Sequence, residues 1–318
     1  MSAITAPAPT KAISSFAELR AGARPERPLR LAVVVADDEV ALSAADAAWR
    51  LGIAHPVLIG NEAAIRAKLN LLALSGLSSD AEFVSATAAA ATAVQMARAG
   101  DVDVLLKGHL RTDELLRAVL DKAKGLRAGR LLSDVLLYED KLAGDTRLVG
   151  ISDGGLNVLP TLDQKQQIVQ NAIRVMRCLG LARPRIAIMS ATEAVSESVS
   201  SSVDAKLLTE MGDAGEFGEA EVFGPLALDC ALLESAARDK GIRHPVAGHA
   251  DCMVVPNIEA GNLLGKSVKY LGGSQCAHVV VGASVPILIP SRVESVDDKV
   301  NSIALGVMFA GQIQNSRH

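Results

Sequence analysis

A chain of 318 residues exceeds what one hydrophobic core usually serves, so two domains are expected. Hydrophobic residues make up 49% and aromatics only 3%, so the cores must be built from Ala, Val, Leu and Ile, which favours helices packed on parallel sheets. A formal net charge of -4, with acidic and basic residues interspersed, argues against a nucleic-acid-binding surface and fits a small-molecule enzyme better.

Cys178, Cys230, Cys252 and Cys276 are widely spaced and form no CxxC pair. They read as buried, reduced core residues, not as zinc ligands or a disulfide framework. Charged or turn residues interrupt every apolar run before it reaches the roughly 18 residues of a membrane span. The opening MSAITAPAPTKAISS lacks a basic region followed by an apolar one, so it reads as a loose tail, and a cytoplasmic location is expected.

In chain order, Ser15 and Glu18 predict a capping box opening a helix over Phe16 to Ala23, with Arg24 to Pro28 as linker. Strand-like runs at Leu31 to Ala36, Pro56 to Gly60, Glu82 to Ser85 and Val102 to Lys107 alternate with helical patterns at Glu39 to Leu51, Thr87 to Ala99 and Thr112 to Lys122. That rhythm predicts a parallel sheet with covering helices. Leu131 to Glu139 and Thr146 to Ser152 read as a hairpin about the turn Asp140 to Asp145, where a domain crossover is expected.

After the turn Asp153-Gly154-Gly155, a long amphipathic helix runs over Leu162 to Leu179. Strands at Arg185 to Met189, Glu221 to Phe223, Cys252 to Val255 and His278 to Val281 then alternate with helices at Asp204 to Met211, Asp229 to Lys240 and Ile258 to Leu271. Ser196 to Ser202 reads as a loop or a fraying helix start, and Gly224-Pro225-Leu226 as a turn at a strand end.

Strand ends are where α/β proteins keep chemistry, and three of them carry candidate residues. The run Val285 to Ile289 ends at Pro290, and Ser291 and Arg292 follow at once. Ser295 then faces Asp298 as an N-cap faces an acidic third position, ahead of helically spaced Val296, Val300, Ile303, Ala304, Val307 and Met308. A hydroxyl, a guanidinium and a carboxylate thus gather around one turn, although a capped helix beside a surface Arg satisfies the same pattern. Lys107-Gly108-His109 ends another strand where a phosphate could sit, with His109 as a positioning residue or a general base. Arg111, Arg117 and Arg130 are candidate anion ligands or solvated charges. In PNIEAGN, from Pro256 to Asn262, Asn257 can cap a helix while Gly261 and Asn262 either let a ligand approach the backbone or serve packing. No GxGxxG follows the first strand and no GxxxxGK[ST] occurs.

Five segments together resemble the phosphate acetyltransferase and phosphate butyryltransferase family: KGHLRTDELLRAVLDK, ISDGGLNVLPTLDQKQQIVQNAI, FGPLALD, ADCMVVPNIEAGNLLGKS and PSRVESVDD. The resemblance spans about Leu31 to the C-terminus and keeps the family's order. It implies reversible transfer of a short-chain acyl group between CoA and inorganic phosphate, without a metal or a cofactor beyond CoA as substrate. It also implies an α/β architecture of two α/β/α domains with an interdomain cleft, like isocitrate and isopropylmalate dehydrogenases, and a homodimer. The expected division is a tail and linker over 1–28, a first domain over 29–130 plus 283–318, and a second over 131–282. The crossing near Ala283 is taken from the resemblance. Ser291, Arg292 and Asp298 hold the positions of the family's functional Ser-Arg pair and Asp, implying Asp298 as thiol base and Ser291 with Arg292 on phosphate and transition state. Substrate contacts are expected from His109, Arg117, Arg130, Asn257, Gly261 and Asn262.

Acetyltransferases usually read SRGC where this chain has Ser291-Arg292-Val293-Glu294, and DQKQQIVQNA leans toward the butyryl branch. Two other functions stand beside this one. One is a metal-dependent NAD(P) oxidative decarboxylase of the same architecture, which would need a convergent aspartate cluster. The other is a non-catalytic CoA or acyl-phosphate binding protein.

Overall fold

The computed structural model describes residues 11–315 apart from Glu26, Ala143 and Arg292. Two compact units account for it, one built from residues 17–130 with those from Ala277 onward, the other from residues 11–16 with Leu131–Cys276.

From the N-terminus come α1 (Phe16–Gly22), β1 (Leu29–Val34), α2 (Glu39–Arg50), β2 (Ala54–Gly60), α3 (Glu62–Leu71), α4 (Ser75–Asp80), β3 (Glu82–Ser85), α5 (Ala89–Ala99), β4 (Val104–Lys107) and α6 (Thr112–Val119). The middle of the chain gives β5 (Ser133–Asp140), β6 (Arg147–Ser152), α7 (Leu162–Cys178), β7 (Arg185–Met189), α8 (Ser200–Asp213), β8 (Glu221–Leu226), α9 (Leu228–Leu232), α10 (Glu234–Asp239), β9 (Cys252–Val254) and α11 (Ile258–Lys266). A π-helical turn, Ser267–Leu271, extends α11 before β10 (Cys276–Val281), β11 (Ile287–Leu288) and α12 (Val296–Asn315).

In the first unit the strand order is β3-β2-β1-β4-β11-β10. All pairings are parallel except β10 with β11. The chain builds outward from β1 to β2 and β3, then returns to place β4 on the other side, so the topological switch point lies between β1 and β4. Ligands of open α/β sheets bind beyond the carboxyl ends of the strands at such a point. β1, β2 and β4 are continuous apolar runs because helices cover both faces, and Leu31, Val33, Leu58, Ile59, Leu105 and Leu106 are fully buried. Ahead of β1 the expected helix forms as α1 and buries Phe16 and Leu19.

The second unit has the order β5-β6-β9-β7-β8, with the hairpin β5-β6 antiparallel and the rest parallel. Its switch point lies between β7 and β9. The four cysteines are buried, and none is in a disulfide.

Several elements depart from the sequence pattern. The helix expected over Asp229 to Lys240 breaks at Leu233, whose φ of -120° and ψ of 114° are extended. β8 continues through Gly224-Pro225-Leu226, which was expected as a turn. A side chain at Gly224 would meet the Ile188 carbonyl oxygen at 2.4 Å, so glycine lets the strand lie flat against β7. α6 stops at Val119, and the Asp121 carboxylate caps the following turn by accepting the Ala123 and Lys124 N–H groups at 2.8 and 2.7 Å. Within the serine run, the helix begins at Ser200.

Candidate active site

At the carboxyl edge of the first unit the ends of β1, β4 and β11 lie side by side. The β4 end is moulded onto the β1 end: Gly108 and His109 donate N–H groups to Val34 and Val35 carbonyls at 2.9 and 2.8 Å. A Cβ on Gly108 would stand 2.3 Å from the Val35 oxygen, so only glycine fits this approach. His109 is exposed, with Nδ1 3.5 Å from Asp37 Oδ1 across the switch point. Lys107 is buried and donates to the Gly108 and Leu110 carbonyls, both at 3.3 Å, which makes it a brace for the turn.

The β11 end carries the densest polar group. Asp298 is fully buried and forms the expected capping box: Oδ2 accepts from Ser295 Oγ at 2.6 Å and from the Ser295 N–H at 3.1 Å, while the Asp298 N–H donates to Ser295 Oγ at 3.2 Å. Ser291, one turn earlier, is exposed, and its N–H donates to Glu294 Oε1 at 2.8 Å. Its carbonyl accepts from the Glu294 N–H at 3.2 Å and from Lys299 Nζ at 3.1 Å. Glu294 and Lys299 are both buried, and His278 Nε2 on β10 lies 3.6 Å from Glu294 Oε1. Burial pulls the Lys299 ammonium below its usual range, against the charges of Glu294, Asp38 and Asp298, which favour it. Arg292 lies outside the described residues.

The arginines expected as anion ligands are differently engaged. Arg111 Nε and Arg117 Nη2 both donate to Asp113, at 2.9 and 3.4 Å, on the exposed start of α6, and the Arg111 hydrogen bond in particular holds that carboxyl below its usual value. Arg130 is exposed and has no ion-pair partner among the described residues.

Asn257, Gly261 and Asn262 belong to the second unit, at the carboxyl end of β9. Asn257 caps α11 by accepting the Ala260 N–H at 3.0 Å. Gly261 faces Gly154 backbone to backbone, and a Cβ there would stand 2.7 Å from Gly154 Cα and 2.9 Å from the Asp153 oxygen. Asn262 Nδ2 reaches the Gly154 carbonyl at 3.4 Å. These residues thus close the PNIEAGN turn onto the Asp153-Gly154-Gly155 turn. Asp153 is buried beneath it and accepts the N–H groups of Gly155, Leu156 and Asn157 at 2.8, 3.0 and 3.2 Å. Burial, with Asp134 adding repulsion, raises its carboxyl to about 6.

Glu193, Asp229 and Cys230 bring ligand atoms within 4.8 Å of one another. Lys240 Nζ stands 2.8 Å from Glu193 and 3.0 Å from Asp229, so an ammonium already occupies the cationic position there.

Sequence reasoning missed Glu294 and Lys299 as parts of the β11 turn. The signal for Lys299 was present: it falls in the same helical stripe as Val296, Val300 and Ile303, where a lysine must be buried or the stripe interrupted.

Residues 77–307 match the family model described as "Phosphate acetyl/butaryl transferase". Phosphate acetyltransferase of Rhizobium meliloti is 40% identical over 301 residues, 94% of each chain. Phosphate butyryltransferase of Clostridium acetobutylicum is 36% identical over 303 residues, covering 94% of this chain and 99% of the relative. Among solved structures, a branched-chain phosphotransacylase from Enterococcus faecalis V583 superposes with a TM-score of 0.77 at 30% identity, over 89% of this chain and 99% of that one. A 4-hydroxythreonine-4-phosphate dehydrogenase from Salmonella typhimurium, described as putative, shares the fold alone, at a TM-score of 0.54 and 13% identity over 89% of this chain and 99% of that one. The expected dehydrogenase-like α/β architecture is thereby met, and the chain belongs to the phosphate acetyl/butyryl transferase family.

Proposed function

We propose that this protein transfers a short-chain acyl group reversibly between CoA and inorganic phosphate. The observation that carries the proposal is the β11 to α12 turn, where Ser291 and the buried Asp298 stand at the carboxyl edge of the first unit's sheet, in a chain of this family. The relatives' names include acetyl and butyryl activities, so both chain lengths fall within the proposal.

In the direction of thioester synthesis, Asp298 takes the proton from the CoA thiol, the thiolate attacks the acyl phosphate carbonyl, and the C–O bond to phosphate breaks. The reverse direction transfers the acyl group from sulfur to a phosphate oxygen and returns the proton to the leaving thiolate. A carboxylate is a weak base for a thiol, so alignment of the two substrates must supply much of the acceleration. Ser291 donates a hydrogen bond to charge developing in the transition state, and Arg292 holds phosphate through its planar fork. Both substrates are bound together, with no acyl-enzyme. Neither a metal nor a further cofactor enters this scheme.

Thiol release from a panel of acyl-CoA esters, acetyl to hexanoyl, on addition of phosphate tests the proposal. Phosphate-dependent release with one preferred chain length is expected, and its absence across the panel would leave the reading untenable. The homodimer and the cytoplasmic location rest on the family resemblance and on sequence composition, respectively. Among the described residues no helix is long and apolar enough to cross a membrane. Light scattering returning a monomer mass would remove the dimer, and fractionation of cells with the membrane or periplasm would remove the location.

A further inference from the structure

Glu294 replaces the cysteine of the usual SRGC pattern, and it is 8% exposed. A buried carboxylate is costly unless it is bonded and compensated. Its Oε1 accepts the Ser291 N–H at 2.8 Å, while Oε2 is buried without a hydrogen-bond partner. Lys299 is 3% exposed, and the hydrogen bond from its Nζ to the Ser291 carbonyl, at 3.1 Å, is the single one that Nζ makes among the described residues. No carboxylate lies within ion-pair distance of Lys299 among them, although the charges of Glu294, Asp38 and Asp298 act on it from the turn, from the β1 to α2 loop and from its own helix. A buried lysine and a buried glutamate therefore hold one residue by its carbonyl and its N–H. A helix start needs only the Ser295–Asp298 box, already complete one turn later.

We propose that Glu294 and Lys299 are positioning residues that clamp Ser291 by its N–H and its C=O, and so fix where the Ser291 hydroxyl meets substrate. The functional half of this inference rests on the acyl-transfer reading; the clamp itself does not. Neither side chain is assigned contact with substrate. Their effect passes through Ser291, where a displacement of about 1 Å can cost a rate on the order of 10²-fold.

The test uses the full chain carrying Glu294→Gln, Lys299→Met or Lys299→Arg. Hydrogen exchange resolved at the Ser291 amide itself, without substrate, reads the clamp directly. Exchange at Ser291 should quicken roughly tenfold or more in Glu294→Gln and Lys299→Met, since each removes a charge-assisted hydrogen bond, and stay near wild type in Lys299→Arg. In phosphate-dependent thiol release, Lys299→Met should lower kcat roughly 10- to 100-fold while KM for acyl-CoA moves less than about threefold. Lys299→Arg should recover most of that rate; if loss of the Lys299 proton lowers kcat of the wild type at alkaline pH, that fall should be absent in Lys299→Arg, because a guanidinium keeps its proton where a buried ammonium loses it. If Lys299→Met does not fold, Lys299→Arg and Glu294→Gln carry the same comparison. Wild-type exchange at Ser291 in both Glu294→Gln and Lys299→Met, or in Glu294→Gln alone where Lys299→Met is lost, would overturn the clamp. Quickened exchange with an unchanged kcat would overturn its role in catalysis. A wild-type enzyme without thiol release would dispose of the acyl-transfer reading, and the exchange result would still decide the clamp.

Discussion

The turn from β11 to α12 and the turn from β9 to α11 contain similar ingredients: a proline closing a strand, a capping residue and buried carboxyl groups nearby. In the first, ionisable side chains grip the Ser291 backbone, Glu294 on its N–H and Lys299 on its carbonyl, Asp298 takes the Ser295 hydroxyl, and Glu294 Oε2 is left without a partner. In the second, the bonds run to backbone: Asn257 caps Ala260, Asp153 gathers the N–H groups of its own turn, and Gly261 lies on Gly154. A strand-to-helix turn that keeps charged groups out of water without tying them all to backbone can exchange those contacts for substrate. A turn whose buried carboxylate is bonded through both oxygens, as Asp153 is, reads instead as a structural joint.

The largest test of that contrast is Asp298→Asn. Asparagine retains an acceptor for the cap, so circular dichroism should be unchanged while turnover falls by roughly 10²- to 10⁴-fold. Wild-type turnover would place the β11 turn among the joints as well.

Asp153→Asn asks the same question of the other turn, through pH. Because its carboxyl is raised from 3.8 to about 6, the folded chain keeps this proton where the unfolded chain has lost it. The linked stability is present below about pH 4 and disappears as pH rises through 6, an effect of up to about 3 kcal/mol at 1.36 kcal/mol per unit. The variant, always neutral, should show a flatter stability profile between pH 4 and 7 in urea unfolding. Identical slopes in the two proteins would dismiss Asp153 as the titrating group.

The smallest effect is expected at Gly261. A methyl there must displace Gly154 or Val255, whose Cγ2 would be 2.8 Å away, so Gly261→Ala should destabilise by about 1–3 kcal/mol. Activity per folded molecule should change little. Full stability with a raised KM for acyl-CoA would make Gly261 a ligand contact and erase the contrast between the two turns.

Much of the fold was legible because parallel strands buried on both faces leave apolar runs in the sequence, as at Leu31 to Ala36 and Val102 to Lys107. The Ser295–Asp298 box was legible for a related reason: it is local, spanning four residues. The break at Leu233 and the passage of β8 through Pro225 were not, because each involves neighbours elsewhere in the chain: Gly248 and Ala250, which bond the Cys230 and Ala231 carbonyls, in the first case, and Ile188 in the second. Lys299 was legible in part: its place in the stripe of Val296, Val300 and Ile303 marked it for burial, while its bond to the Ser291 carbonyl depends on the geometry of the turn. At Gly261 and Asn262 the sequence leaves packing and ligand approach both open, since glycine and asparagine at a helix start serve either equally well until the facing backbone is known.

The strand order of the first unit also bears on how the chain comes to be folded. β4 pairs with β1 on one side and with β11 on the other, and roughly 180 residues separate Lys107 from Leu288. At ribosomal rates of about 5–20 residues per second, the outer edge of β4 has no strand to pair with for on the order of ten to forty seconds, while the whole second unit is being made. Throughout that interval an apolar Val-Leu-Leu edge presents open backbone groups to any extended chain nearby. α12, which packs on α2, β4 and β11 and carries Asp298, arrives last of all. A nascent chain stalled before residue 287 would therefore hold a nearly finished second unit beside an adhesive half of the first.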